Sequence, residues 1–261
     1  MPTVAEIYDF IDSFAPFSTQ DSFDNSGLVV GRMDDPKQIE KILISLDATI
    51  SVVEEAQRIG AQLILTHHPV IFHAIKHLDS SYPYALAVKY GIPVISAHTC
   101  LDSAKYGISD MMVDALGFEN LGRVPYINRA DPKSGAPIGY GATAKCRKMS
   151  GYELAALCKE RFDNPAIRWS DGGSDIEIVA CGSGACSDIL EYAHCQGAQA
   201  VITADIKLDR FLEADRLGMT LIDAGHYETE AIALPYLKKK LELRFGVKCV
   251  ISSADRVIKG V

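Results

Sequence analysis

Three short segments concentrate the residue types that hold metal ions. His67-His68-Pro69 ends the apolar run Leu63-Ile64-Leu65-Thr66, His98-Thr99-Cys100-Leu101-Asp102 follows the run Pro93–Ala97, and His226-Tyr227-Glu228-Thr229-Glu230 follows Met219–Asp223 and an Ala224-Gly225 turn. In the second and third, a carboxylate stands four residues after a histidine, a spacing that places both on one face of a helix or lets them converge across a turn. Adjacent side chains on a strand point to opposite faces, and Pro69 biases His68 toward an extended backbone. His67 and His68 therefore splay at a strand terminus, which suits two ions, or one ion and one neighbouring contact. Imidazole and carboxylate without thiolate suit Zn, Mn, Fe or Ni. A carboxylate such as Glu230 can bridge two ions, and a water shared by two ions is acidified toward hydroxide near neutral pH. Each histidine–carboxylate pair alone also reads as a surface ion pair. What points to a two-metal site is that four of the seven histidines stand just beyond predicted strand ends.

The elements that must position these residues follow from periodicity. Val4, Ile7, Ile11 and Phe14 recur at helical intervals, so a helix leads the chain. After the polar turn Asp24-Asn25-Ser26-Gly27, short apolar runs alternate with helical stretches: 42–46, 50–59, 63–66, 84–90, 93–97 and 108–116. The second half repeats the alternation, with strands expected at 138–144, 176–181, 200–203, 219–223 and 248–252. Ser150 and Glu153 there give a capping signal for a helix through Phe162. Alternation of this kind implies crossover units and mainly parallel sheets.

An internal repeat sharpens this. Gly60-Ala61-Gln62-Leu63-Ile64-Leu65-Thr66 is matched by Gly197-Ala198-Gln199-Ala200-Val201-Ile202-Thr203, and Gly91-Ile92-Pro93-Val94-Ile95-Ser96-Ala97-His98 by Gly218-Met219-Thr220-Leu221-Ile222-Asp223-Ala224-Gly225-His226. The expectation is an α/β protein of two pseudo-symmetric lobes, 1–127 with a C-terminal segment packing back and 128–261, forming a single compact unit. The seam would lie in the Pro/Gly-containing stretch 128–139, and the metal site would lie at the carboxyl ends of the strands, between the lobes.

The chain has 261 residues, with 26 Lys plus Arg against 34 Asp plus Glu, a net charge of -8. That balance disfavours binding to a nucleic-acid backbone or an anionic membrane. The opening residues lack the basic and apolar regions of a leader, and the longest uncharged apolar stretch, 61–75, is interrupted by histidines and a proline, so a cytoplasmic chain without a membrane span is expected. Seven cysteines without a C-x-x-C indicate neither a disulfide framework nor a zinc ribbon. Gly182-Ser183-Gly184 resembles a phosphate-binding turn, but Ser187 replaces the third glycine of the dinucleotide fingerprint, and a tight turn is the simpler reading. His73 and His77 have no carboxylate at matching spacing and read as loop residues.

Asp24-Asn25-Ser26-Gly27-Leu28-Val29-Val30-Gly31, Thr66-His67-His68-Pro69, His98-Thr99-Cys100-Leu101-Asp102 and Gly225-His226-Tyr227-Glu228-Thr229-Glu230 resemble, in order and over nearly the whole chain, the signatures of the Nif-three-like dinuclear metal-centre hexameric proteins, also labelled GTP cyclohydrolase I type 2. The resemblance implies a two-lobed α/β subunit, a homohexameric ring and a di-metal site facing its cavity. By motif the ligands would be His67, His68, Asp102, His226 and Glu230, with Glu230 bridging and His98 either a further ligand or a partner that orients one. Many relatives carry a domain inserted mid-chain, for which 117–150 is too short, so this is the short form. Where the family often shows T-G-D followed by a histidine, this chain has Thr203-Ala204-Asp205 and then Leu208-Asp209; the histidine is missing, while Asp205 remains a candidate supporting residue. Cys100, where asparagine is common, could ligate a soft metal or fill a small buried space.

Two functions of different class follow. One is a metal-dependent hydrolase acting on a small anionic substrate, nucleotide-like or phosphoester, with the cyclohydrolase label as the ring-opening case. The other is a metal-binding or metal-delivery protein, or a ring-shaped scaffold, since no general acid stands beside the ligands in sequence.

Overall fold

The structure is a computed structural model that describes residues 1–124, 130–135 and 138–255. The chain divides into two compact units, Met1–Lys105 with the segment that starts at Ala233, and Tyr106–Ile232. The expected 127/128 boundary lies outside the described residues.

In the first unit the elements run α1 (Val4–Phe14), β1 (Gly27–Val30), β2 (Lys41–Ser45), α2 (Ile50–Ile59), β3 (Leu63–Thr66), α3 (Pro83–Tyr90), β4 (Val94–Ser96) and α4 (Thr99–Ser103). In the second they run α5 (Ile108–Leu116), β5 (Glu119–Arg123), β6 (Ala142–Met149), α6 (Gly151–Arg161), β7 (Arg168–Ser170), β8 (Ile176–Cys181), α7 (Leu190–Cys195), β9 (Ala200–Thr203), α8 (Leu208–Arg216), β10 (Thr220–Asp223) and α9 (His226–Ala231). The chain then returns to the first unit with α10 (Ala233–Phe245) and β11 (Lys248–Ile251).

Local chemistry accounts for the boundaries that matter. Thr3 and Glu6 cap α1 reciprocally, as Ser150 and Glu153 cap α6. α2 and α3 each end at a left-handed glycine, Gly60 and Gly91, which turns the chain directly into the next strand.

The first sheet has the order β1-β4-β3-β2-β11. β2, β3, β4 and β11 pair in parallel, and β1 closes the edge antiparallel to β4. Leu43, Ile64 and Val94 face Val52, Val53 and Ala56 of α2 and Tyr84 and Ala87 of α3 in one buried cluster.

The second sheet has the order β5-β6-β8-β9-β10-β7. Only its β8-β9-β10 centre is parallel, so the mainly parallel expectation holds for the first sheet and is corrected for the second. β5, β6 and β7 pair antiparallel, and no helix intervenes between β5 and β6 among the described residues to form the crossover that parallel pairing requires. Alternate residues of the central strands feed two cores. Val179, Cys181, Ala200, Ile202 and Ile222 pack with Leu154 of α6 and Met112 and Val113 of α5, while Ala180, Val201 and Leu221 pack with Leu190 and Ala193 of α7 and Ala214 of α8. That is the two-sided burial a parallel sheet needs. α5 thus belongs with the second sheet rather than with the first lobe.

The internal repeat is structural. β1-β2-α2-β3-α3-β4 and β7-β8-α7-β9-α8-β10 have the same order, with three parallel strands and an antiparallel edge strand added to the last. The repeated glutamines do the same work: Gln62 Oε1 accepts from Glu40 N (2.8 Å) and Lys41 N (2.9 Å), and Gln199 Oε1 from Glu177 N (3.1 Å) and Ile178 N (2.9 Å). At the far end, Ala97 N donates to Thr66 O (2.9 Å) and Ala224 N to Thr203 O (2.7 Å). Among the described residues no helix is long and apolar enough to cross a membrane.

Candidate metal centre

Strand register places the ligand types. In the first unit Ser45, Thr66 and Ser96 lie level at the carboxyl ends of β2, β3 and β4. The residues that follow, Asp47, His67-His68 and His98, therefore leave the sheet along one edge. Carboxyl edges of open parallel sheets are where ligands bind. Thr66 Oγ1 lies 2.8 Å from Ser96 Oγ and donates to His68 O at 2.7 Å, which fixes the turn behind the two histidines.

Three imidazoles meet at this edge: ring centroids are 5.0 Å apart for His67 and His68, 5.1 Å for His67 and His98, and 5.3 Å for His68 and His98. One ring nitrogen from each lies within 4.8 Å of the others. Asp102, on α4 four residues after His98, places Oδ2 3.9 Å from His67 Nε2. His67 is fully buried.

Each Nδ1 faces an oxygen. His67 Nδ1 is 2.8 Å from Ala97 O, His68 Nδ1 is 3.1 Å from Asp47 Oδ1, and His98 Nδ1 is 2.9 Å from Asp24 Oδ1. A carbonyl only accepts, so His67 carries its proton on Nδ1 and turns the Nε2 lone pair outward; carboxylates impose the same tautomer on the other two. Asp24 is the most heavily bonded of these groups. Its buried carboxylate also accepts from Thr99 N (3.0 Å), Thr99 Oγ1 (2.5 Å) and Ser26 Oγ (2.8 Å). Burial alone would raise its pKa, but the bonds from His98 and Thr99, the charge of His98 and the Ser26 bond outweigh it and hold the carboxyl well below the usual range. Asp47 is set by the returning C-terminal segment, where buried Asp255 accepts from Leu46 N (2.6 Å) and Asp47 N (3.1 Å).

The second unit carries its own pair. β9 and β10 end level at Thr203 and Asp223, and α9 begins at His226 after Gly225 turns with φ +89°. His226 Nε2 lies 3.1 Å from Glu230 Oε1, and His226 Nδ1 lies 2.6 Å from Asp205 Oδ2. Asp205 itself has φ +51°, a left-handed conformation that aspartate tolerates better than most residues. Burial would lower the His226 pKa, but the hydrogen bond and charge of Glu230, then those of Asp205, raise it to about 9. α9 starts at His226 itself, so Glu230 stands a turn inside it, and the break before Pro235 separates α9 from α10.

Gly184 completes this pair's surroundings. With φ +55°, it sits so close that a Cβ on it would fall 2.2 Å from Glu230 Oε1 and 3.1 Å from His226 Nε2. The Gly182-Ser183-Gly184 turn is thus a close-approach turn beside Glu230. Its N–H donates to Thr229 Oγ1 (3.1 Å), and its carbonyl accepts from Thr203 Oγ1 (3.0 Å).

A family model described as Duf34/NIF3 (NGG1p interacting factor 3) matches residues 2–256. The chain belongs to this family. A Clostridium acetobutylicum relative named GTP cyclohydrolase 1 type 2 homolog is 32% identical over 244 residues, 92% of this chain and 89% of its own. A Methanocaldococcus jannaschii relative of the same name is 28% identical over 250 residues, covering 94% and 97%. Among solved structures, a Staphylococcus aureus protein matches with a TM-score of 0.87 at 24% identity over 99% of this chain and 98% of its own, which concerns the fold alone. Reduced HcgD from Methanocaldococcus jannaschii matches with a TM-score of 0.81 at 26% identity over 97% and 98%.

Within this Duf34/NIF3 chain the ligand candidates are, taken unit by unit, the sets His67, His68 and Asp102 with His98 beside them in the first, and His226 with Glu230 and Asp205 in the second. Asp24, Asp47 and Gly184 were not readable as parts of these sets, because each meets its histidine or carboxylate across a long stretch of sequence. The DNSG turn was the one available signal, for Asp24. Cys100 is buried, and burial pushes its thiol up to about 12, which suits a space-filling residue better than a thiolate ligand. His73 and His77 are exposed loop residues.

The donor chemistry fits divalent transition metals. The imidazoles of His67, His68 and His98, oriented through Nδ1 by oxygen acceptors, together with carboxylates, are the donor types that Zn, Mn, Fe or Ni take, and His226 joins them once its second proton is lost.

Proposed function

We propose that the chain is a metal-dependent hydrolase acting on a nucleotide-like or phosphoester substrate, and that His67, His68, Asp102, His226 and Glu230 hold two divalent ions of Zn, Mn, Fe or Ni. The observation that carries this reading is the cluster of His67, His68 and His98, whose Nδ1 atoms each face an oxygen acceptor, the tautomer in which Nε2 is the ligand atom, together with the His226–Glu230 pair of the second unit. The name GTP cyclohydrolase 1 type 2 homolog, borne by the relatives, supports the substrate class.

When bound, such ions supply Lewis acidity toward water and a phosphoryl or ring carbon, and positive charge for an anion on a chain of net charge -8. The chain's own part is orientation. Asp24, Asp47 and Asp205 fix the histidine tautomers, Asp102 and Glu230 supply anionic oxygen, and His226 must release its second proton before Nε2 can ligate. Assembly as a homohexamer is part of the reading.

The test is turnover of GTP and a phosphoester panel by the metal-loaded protein, with sedimentation for the assembly. Activity lost in His67→Ala and Glu230→Ala supports the enzyme. Tight metal binding without turnover across the panel would instead favour metal delivery or a scaffold.

A further inference from the structure

Beside the histidines of the first unit, two phenylalanines stand in water. Phe23 is 57% exposed and Phe72 38%. Their ring centroids are 6.1 Å apart with planes inclined by 37°, and the Phe72 ring meets His98 edge-on at 5.8 Å. Both are on loops, yet both loops are tied down. Asn25 Nδ2 donates to Ile71 O at 2.7 Å, joining the two segments, and Ser26 Oγ and Asp24 bond His98 N, Thr99 N and His98 Nδ1. The rings are therefore held at a set distance from each other and from an imidazole of the candidate metal centre, with the His73 ring edge-on to Phe72 at 4.8 Å and both phenylalanines still partly exposed.

We propose that Phe23 and Phe72 form a stacking platform for the planar heteroaromatic ring of the substrate, a purine-like base, while its anionic part is directed to the metal ligands. The inference rests on the proposed nucleotide-like substrate and adds how its ring is recognised. Three observations favour this occupant. Aromatic faces take flat heterocycles without needing a matched hydrogen-bond pattern. The platform continues into His98 through the Phe72 edge contact, so a ring lying on it is beside the centre rather than at a remote surface. Finally, the two residues together expose on the order of 200 Å² at about 200 Å² per residue, the scale of a small planar ligand and far below the roughly 800 Å² per partner of a stable protein interface.

The experiment measures binding of GTP and of inorganic triphosphate to the metal-loaded full chain, by calorimetry, for wild type, Phe23→Ala, Phe72→Ala and Phe72→Tyr. Both substituted positions are exposed enough for the variants to fold, and metal content is measured on each. Wild type binding GTP more tightly than triphosphate, with that advantage reduced roughly 10-fold or more in each alanine variant, restored in Phe72→Tyr, and with triphosphate binding and metal content unchanged, supports the platform. Equal affinity of wild type for GTP and triphosphate overturns it, as does an advantage that survives both alanine substitutions. A change of assembly state in the alanine variants would assign the rings to contact with a second copy and overturn it as well. Failure of the metal-centre reading shows instead in metal content and triphosphate binding, which do not involve the rings.

Discussion

Asp24→Asn isolates the orienting role of a carboxylate from its size. The wild-type group accepts from His98 Nδ1 and Asn25 N on Oδ1, and from Ser26 Oγ, Thr99 N and Thr99 Oγ1 on Oδ2. An amide keeps one acceptor and gains a donor, so one of these sides must lose its bonds. Turning the amide nitrogen toward the Oδ2 side would set it against the Thr99 N–H, a donor that cannot rotate. The less costly choice presents it to His98 and to Asn25 N, which is at the surface. His98 Nδ1 must then accept, its proton moves to Nε2, and that nitrogen loses the lone pair it uses either as a further ligand or as an acceptor beside the ligands. Replacing bonds to a charged acceptor by neutral ones costs about 1–2 kcal/mol of stability. Loss of an orienting partner typically lowers metal affinity roughly 10- to 100-fold. Urea unfolding of the chelated protein, followed by circular dichroism, reads the first, and competition against a chromophoric chelator reads the second. A variant as stable as wild type that binds metal with wild-type affinity would refute the assignment of Asp24 as the group that sets His98.

Gly184→Ala should displace the Glu230 carboxylate, since its Cβ would lie 2.2 Å from Oε1 and φ is +55°; lowered metal content and a stability loss of about 1–2 kcal/mol are expected, and full metal content would show that the carboxylate has room to spare. Glu55 is buried and accepts from Ser252 Oγ, Ser253 N and Ser253 Oγ; burial alone would raise its pKa, but these bonds outweigh it and lower it. A depressed carboxyl pKa stabilises the fold above the unfolded value of about 4.3 and loses that contribution as pH falls through the folded value, so wild type should lose more stability than Glu55→Gln when unfolding at pH 7 is compared with unfolding near pH 3. Equal losses would remove Glu55 from the acid response. Gln62→Ala and Gln199→Ala should each cost about 1–3 kcal/mol, because each leaves two backbone N–H groups without their acceptor; a large effect at one position and none at the other in urea unfolding would break the equivalence of the two repeats.

Much of the fold was legible because burial left clear periods. α1, α2, β3, β8 and β9 stand where three- and four-residue spacing or short apolar runs put them, and the repeated G-A-Q segments do match in structure. Edge strands were not legible. β5 is almost wholly exposed, and β7 contributes three residues, so neither carries an apolar signal. β1 was hidden behind the polar turn that precedes it. β6 begins at Ala142 rather than at Ile138 and runs on to Met149, because Lys145, Arg147 and Lys148 point away from the core and read as a loop. The histidine and carboxylate spacings were visible as chemistry, but the groups that orient them were not. Asp24 reaches His98 across 74 residues, Asp47 reaches His68 across 21, and Gly184 approaches Glu230 through a turn whose glycines also fit a phosphate loop.

The central claim is that these histidines and carboxylates bind metal as a two-ion centre. Elemental analysis of the purified chain, chelated and then reloaded, with wild type beside Asp102→Asn and Glu230→Gln and folding checked by circular dichroism, tests it most directly. The account predicts about two transition-metal ions per wild-type chain, as a two-metal site requires, and a clear loss in both folded variants. Wild-type stoichiometry retained in both variants would contradict it.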